Sequence, residues 1–158
     1  MRAVIQRVTR ASITIDGMAG KDIGRGYVIL LGIGNDDTPE LGNKLWEKIL
    51  KLRIFADDDG KTNLSLKDVN GEVMIVSQFT LYANCRNGNR PSFTDAAAPF
   101  QADELYQQFV ERAKQDIETI STGSFGADMQ VELVNDGPFT ILLDTDDLLA
   151  PRRGQSRD

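Results

Sequence analysis

The chain has 158 residues, 41% hydrophobic and 27% charged, with 18 basic residues against 24 acidic ones, no His and a single Cys. That length suits one domain able to bury a core without disulfides or metal, and the net charge of -6 argues against a nonspecific nucleic-acid coat held by bulk positive charge. The absence of imidazole excludes a Ser-His-Asp triad, a Cys-His dyad and a His-ligated zinc site.

In chain order, the opening MRAVIQRV lacks the long apolar stretch of a signal peptide. The lone Cys85 has no internal partner, so a reducing cytoplasmic setting is expected. Arg2 to Ile15 alternates as a long strand with one half-wet face, broken or bulged near Arg10 and Ala11. Asp16-Gly17 marks a tight turn, and Tyr27 to Ile33 is an apolar run suited to a strand buried on both faces. Thr38, Pro39 and Glu40 form a helix start, after which Leu41, Leu45, Ile49 and Leu52 recur at helical spacing. Asp57-Asp58-Asp59-Gly60 lacks the ligand spacing and distal Glu of a calcium loop and reads as a solvated hairpin tip.

Val73 to Val76 forms a buried strand that delivers Ser77-Gln78-Phe79-Thr80 at its end. Asn84 to Pro99 is a long irregular loop, a second amphipathic helix carries Leu105, Tyr106, Phe109, Val110, Ala113 and Ile117, and strands follow at Met129 to Val134 and Phe139 to Leu143. The predicted fold is α+β: a mainly antiparallel sheet or partly closed β-barrel with two packed amphipathic helices. Residues 1–145 make the domain, and 146–158 make a polar tail expected to be disordered.

Ser77 and Thr80 are hydroxyl nucleophile candidates with no base near them in sequence, since Lys61 and Lys67 sit in a polar hairpin. They either bond backbone at a strand end or mark a place where the Phe79 and Thr80 N–H groups leave the ladder and meet an oxyanion. Gly137-Pro138 reads as a hairpin turn or, with a cis bond, as a pair of carbonyls aimed at a substrate ammonium and a wall against one hand of an α-carbon. Arg7 is a surface strand residue or a brace for that segment. Phe125 and Met129, beside Gly123 and Gly126, pack in the core or wall a nucleobase.

Six segments carry a resemblance: MRAVIQRV, LRIF at 52–55, SQFTLYA at 77–83, RPSF at 90–93, FGADMQV at 125–131 and NDGPFT at 135–140. In this order, over nearly the whole domain, they resemble the D-aminoacyl-tRNA deacylase family. The resemblance implies an enzyme that hydrolyses D-aminoacyl-tRNA and clears glycine mischarged on tRNA, on a compact barrel-like fold, as a homodimer, without metal or other cofactor. It implies that Ser77, Gln78, Phe79 and Thr80 line the pocket and that Gly137 and Pro138 of the partner subunit act as the chiral selector. Arg7 would hold that segment, Phe125 and Met129 would border the terminal adenosine, and the tRNA 2′-hydroxyl would assist catalysis. A non-enzymatic barrel that binds RNA or protein through the same loops is the competing expectation; no membrane association is expected.

Overall fold

A computed structural model describes residues 1–151, and its spine is β1 (Arg2–Ile15). In chain order there follow β2 (Met18–Ala19), β3 (Gly26–Gly32), α1 (Pro39–Lys51), β4 (Phe55–Ala56), β5 (Thr62–Leu64) and β6 (Glu72–Ser77). A 3-10 turn (Phe79–Tyr82), α2 (Pro99–Lys114), β7 (Ile120–Thr122), β8 (Met129–Asp144) and α3 (Thr145–Leu149) complete the described chain. Every pairing of β1, with β2, β3 and β8, is antiparallel. The β3–β6 and β6–β7 pairs are parallel, because α1 and α2 carry the chain back over the sheet between those strands. The fold is therefore α+β, with a curled sheet and two longer helices packed on it.

The expected break in β1 is a register shift against β8, located between Gln6 and Val8 and between Val8 and Arg10. Its effect is to change which parity faces which core. Ala3 and Ile5 join the main core under the helices, whereas Val8, Ala11 and Ile13 join a second cluster with Val28, Met74 and Val76. One strand thereby serves both faces of a curled sheet.

Thr38 caps α1 by accepting from the Leu41 N–H at 3.3 Å, and Pro39 opens the helix. Its buried face is Gly42, Leu45, Trp46 and Ile49. Leu41 and Leu52 of the predicted stripe are only half-buried, Leu41 lying in the first turn and Leu52 at the C-cap beyond the last helical residue. Trp46 meets Phe109 edge-on at 5.8 Å, and its indole donates to Asp116 at 3.0 Å. The α2 hydroxyl of Tyr106 donates to the Ile75 carbonyl at 2.7 Å, and burial pushes that phenol up to about 12.

The acidic turn is the tip of the β4–β5 hairpin, where Asp57 accepts from the Asp59 and Lys61 amides at 3.0 and 2.9 Å. These amide bonds lower the pKa of its carboxyl. Two expectations change. The segments 129–134 and 139–143 are not two hairpin-linked strands but parts of β8, both antiparallel to β1, so the chain does not reverse at Gly137-Pro138. Residues 146–149 of the expected tail belong to α3, which begins at Thr145, a buried residue that accepts from the Met1 ammonium at 2.6 Å. Residues 152–158 of that tail lie outside the described residues.

Candidate active site

Strand β6 ends where Gln78 makes its last ladder bond, N–H to the Leu31 carbonyl at 2.8 Å. The chain then tightens into the 3-10 turn, so the amides of Phe79 and Thr80 stand at its start, where the helix itself offers no acceptor. Gly32 makes this approach possible: a Cβ there would lie 2.9 Å from Leu81 Cβ and 3.0 Å from the Gln78 carbonyl oxygen. Arg2 holds the far end of the turn, donating to the Leu81 carbonyl at 3.0 Å, pairing with Asp144 at 2.9 Å and lying 4.4 Å over the Tyr82 ring.

Ser77, Gln78, Phe79, Phe125 and Met129 converge on one cavity of about 770 Å³. Ala97, Ala98, Pro99 and Ala102 at the start of α2, together with Phe93, line its other side. The short alanine side chains leave the volume open. Phe79, 53% exposed, meets Phe93 edge-on at 5.0 Å, which sets two aromatic surfaces at the cavity rim. Met129 reaches the wall across Gly123, where a Cβ would stand 2.4 Å from its sulfur. Thr80 is exposed beside the cavity and its hydroxyl accepts from the Gln78 side-chain amide.

Arg7, Gly137 and Pro138 form a second group, and none of them lines that cavity within the single chain. Arg7 is 9% exposed. Its guanidinium donates to three carbonyls, those of Asp136 at 3.1 Å, Gly137 at 3.3 Å and Ile54 at 2.5 Å, pairs with the Asp136 carboxylate at 3.1 Å and lies 4.4 Å over Phe139. The Gly137-Pro138 peptide is cis, and both residues are exposed. They sit on an excursion of β8, for Asn135 is opposite Val8 and Thr140 opposite Gln6, leaving 136–139 without ladder partners.

Sequence reasoning did not single out Phe93 or the start of α2 as lining a pocket, nor Arg2 as a brace for the 3-10 turn. The clue lay in DAAAPF at 95–100, a run of small residues before a helix-starting Pro. Chemically, the cavity offers backbone donors, aromatic and thioether surface and hydroxyls. It contains no cluster of His, Cys, Asp or Glu able to hold a metal ion among the described residues.

Residues 4–144 match the family described as D-Tyr-tRNA(Tyr) deacylase. The D-aminoacyl-tRNA deacylase of Lactobacillus acidophilus is 54% identical over 144 residues, covering 91% of this chain and 99% of the relative. That of Dictyoglomus turgidum is 52% identical over 153 residues, covering 97% and 98%. A solved structure titled "c-Myc DNA Unwinding Element Binding Protein" superposes with a TM-score of 0.86 at 45% identity, covering 91% of this chain and 98% of that one. Another, of a probable eukaryotic D-amino acid tRNA deacylase, shares the fold with a TM-score of 0.79 at 17% identity, covering 90% and 97%.

Proposed function

The chain belongs to the D-Tyr-tRNA(Tyr) deacylase family and is a hydrolase acting on the ester of D-aminoacyl-tRNA, and on that footing we propose how its residues carry out the reaction. Residues 1–145 act as the deacylase domain. The terminal adenosine lies against Phe125 and Met129, and the aminoacyl ester enters beside Ser77, Gln78, Phe79 and Thr80. Water adds to the ester carbonyl carbon, the oxyanion takes hydrogen bonds from the Phe79 and Thr80 amides, and the tetrahedral adduct expels the ribose 3′-oxygen, which leaves with a proton. Free D-amino acid and tRNA result. With no imidazole in the chain, the 2′-hydroxyl of the terminal ribose helps position or activate the water. An aminoacyl ester is already activated, so placement and electrostatics supply the acceleration.

Stereochemical choice belongs to Gly137-Pro138 of a partner subunit. Its carbonyls receive the substrate ammonium, and its rigid surface excludes the L-configured side chain. Glycine, which has no side chain to exclude, passes the same test, so glycyl-tRNA is also cleared. The functional unit is a cytoplasmic homodimer with shared sites, using neither metal nor cofactor. No described helix is long and apolar enough to cross a membrane.

One observation carries this reading: SQF of the 77–83 motif and the Phe and Met of the 125–131 motif, far apart in sequence, meet at one cavity. The experiment is incubation of catalytic amounts of protein with D-tyrosyl-tRNA and L-tyrosyl-tRNA. Selective release of the D-amino acid is expected. Binding of both without turnover would instead favour a non-enzymatic module.

A further inference from the structure

The β8 excursion at 136–139 opens a gap in the sheet, and the gap is filled in a specific way. An antiparallel ladder pairs backbone donors with backbone acceptors residue by residue. Here four consecutive residues leave the ladder between Asn135, opposite Val8, and Thr140, opposite Gln6. The Arg7 carbonyl stands at that gap. It accepts instead from the side-chain amide of Asn135, at 3.0 Å, and the same nitrogen donates to the Phe139 carbonyl at 3.3 Å. An NH₂ group carries two donors, and both are used. One bond joins the excursion to β1 and the other joins its two ends. On the far flank, the Thr140 hydroxyl bonds the Gln6 side-chain oxygen at 2.7 Å.

We propose that Asn135 is a positioning residue for stereochemical discrimination: its amide closes the neck of the 136–139 excursion and so fixes where the Gly137 and Pro138 carbonyls point. Arg7 holds the carbonyls of Asp136 and Gly137 from the sheet side. It also pairs with the Asp136 carboxylate and lies over the Phe139 ring, but none of these contacts joins the backbone at one end of the excursion to that at the other. Asn135 supplies that link, through the Phe139 carbonyl, and ties it to β1 through the Arg7 carbonyl. No other side chain of that size offers two donors there: Asp would turn oxygens toward two carbonyl oxygens, and Ser or Ala would leave both acceptors unserved. The inference rests on the reading of Gly137-Pro138 as selector.

The experiment measures kcat/KM for D-tyrosyl-tRNA and for L-tyrosyl-tRNA with Asn135→Asp, Asn135→Ala and, in parallel, Pro138→Ala, each well below its thermal midpoint. Loss of folded protein scales both substrates equally and leaves their ratio unchanged, so the ratio reports aim and not stability. A fall in the D-to-L ratio of about tenfold or more is expected for either Asn135 variant. An unchanged ratio in both, with a lowered one in Pro138→Ala, overturns the role of Asn135 alone. Unchanged ratios in all three overturn the selector itself, and this inference with it.

Discussion

Arg7 is the residue whose geometry is most demanding, because it serves three carbonyls from three nitrogens of one planar group. Lysine has the charge without the fork. Arg7→Lys is expected to lower stability by about 2 kcal/mol through lost charge-assisted bonds and to relax the D-to-L ratio; denaturant melts and paired kinetics check both effects. Thr80 makes the opposite case. Only its backbone amide has a part in the proposed reaction, so Thr80→Ala should retain kcat/KM within about tenfold, whereas a covalent acyl-enzyme requires losses of about 3 kcal/mol of barrier or more. For Arg7 the sequence left a surface residue and a brace both open, and the fold supplies the carbonyl acceptors that an inward charge on a strand needs. Asn135 was not legible in the sequence, since its partners at Arg7 and Phe139 exist only once β8 bulges against β1. Phe93 likewise acquires meaning only through its contact with Phe79.

At the level of elements, the 3-10 turn is held by close approach to β3. Gly32→Val places branched bulk where even a Cβ would stand 2.9 Å from Leu81. The turn should shift, costing about 1–3 kcal/mol of stability and lowering kcat more than a comparable loss elsewhere; calorimetry beside single-turnover rates separates the two. A native kcat in this variant would show that the turn's position does not matter to the chemistry. The Thr38-Pro39 start of α1 and the Leu105 to Ala113 stripe of α2 were readable in the sequence, whereas α2 opens at Ala98 without a side-chain cap and Leu41 and Leu52 of the α1 stripe are only half-buried. Strand direction was not readable. The apolar runs of β3 and β6 encode burial on both faces, which does not say that they pair in parallel. Gly-Pro between two apolar segments carries the local signature of a turn, and only the shared partner β1 shows that the strand continues past it.

For the whole molecule, Asp116 joins the two helices, accepting from Trp46 of α1 at 3.0 Å and from Arg112 of α2 at 2.5 Å, with Lys67 at 3.6 Å. The Trp46 bond, then that to Arg112, holds its carboxyl below the usual carboxylate range. A depressed carboxyl stabilises the fold at pH above its unfolded value, and the contribution disappears as pH falls through the folded value. Asp116→Asn should therefore lower stability near neutrality and flatten its acid dependence, as melts across pH 7 to 3 would record; an unchanged profile would assign the acid sensitivity elsewhere. A shared site predicts that specific activity falls together with the dimer on dilution, followed by sedimentation, and a fully active monomer would refute it. In the proposed mechanism a chain without His borrows reactivity from its RNA substrate. The most direct test is single-turnover hydrolysis of D-tyrosyl-tRNA esterified at the 3′-oxygen, with the terminal ribose carrying either a 2′-hydroxyl or a 2′-hydrogen. The 2′-deoxy substrate is expected to bind as well but to turn over at least about a hundredfold more slowly, and undiminished hydrolysis would refute RNA-assisted catalysis.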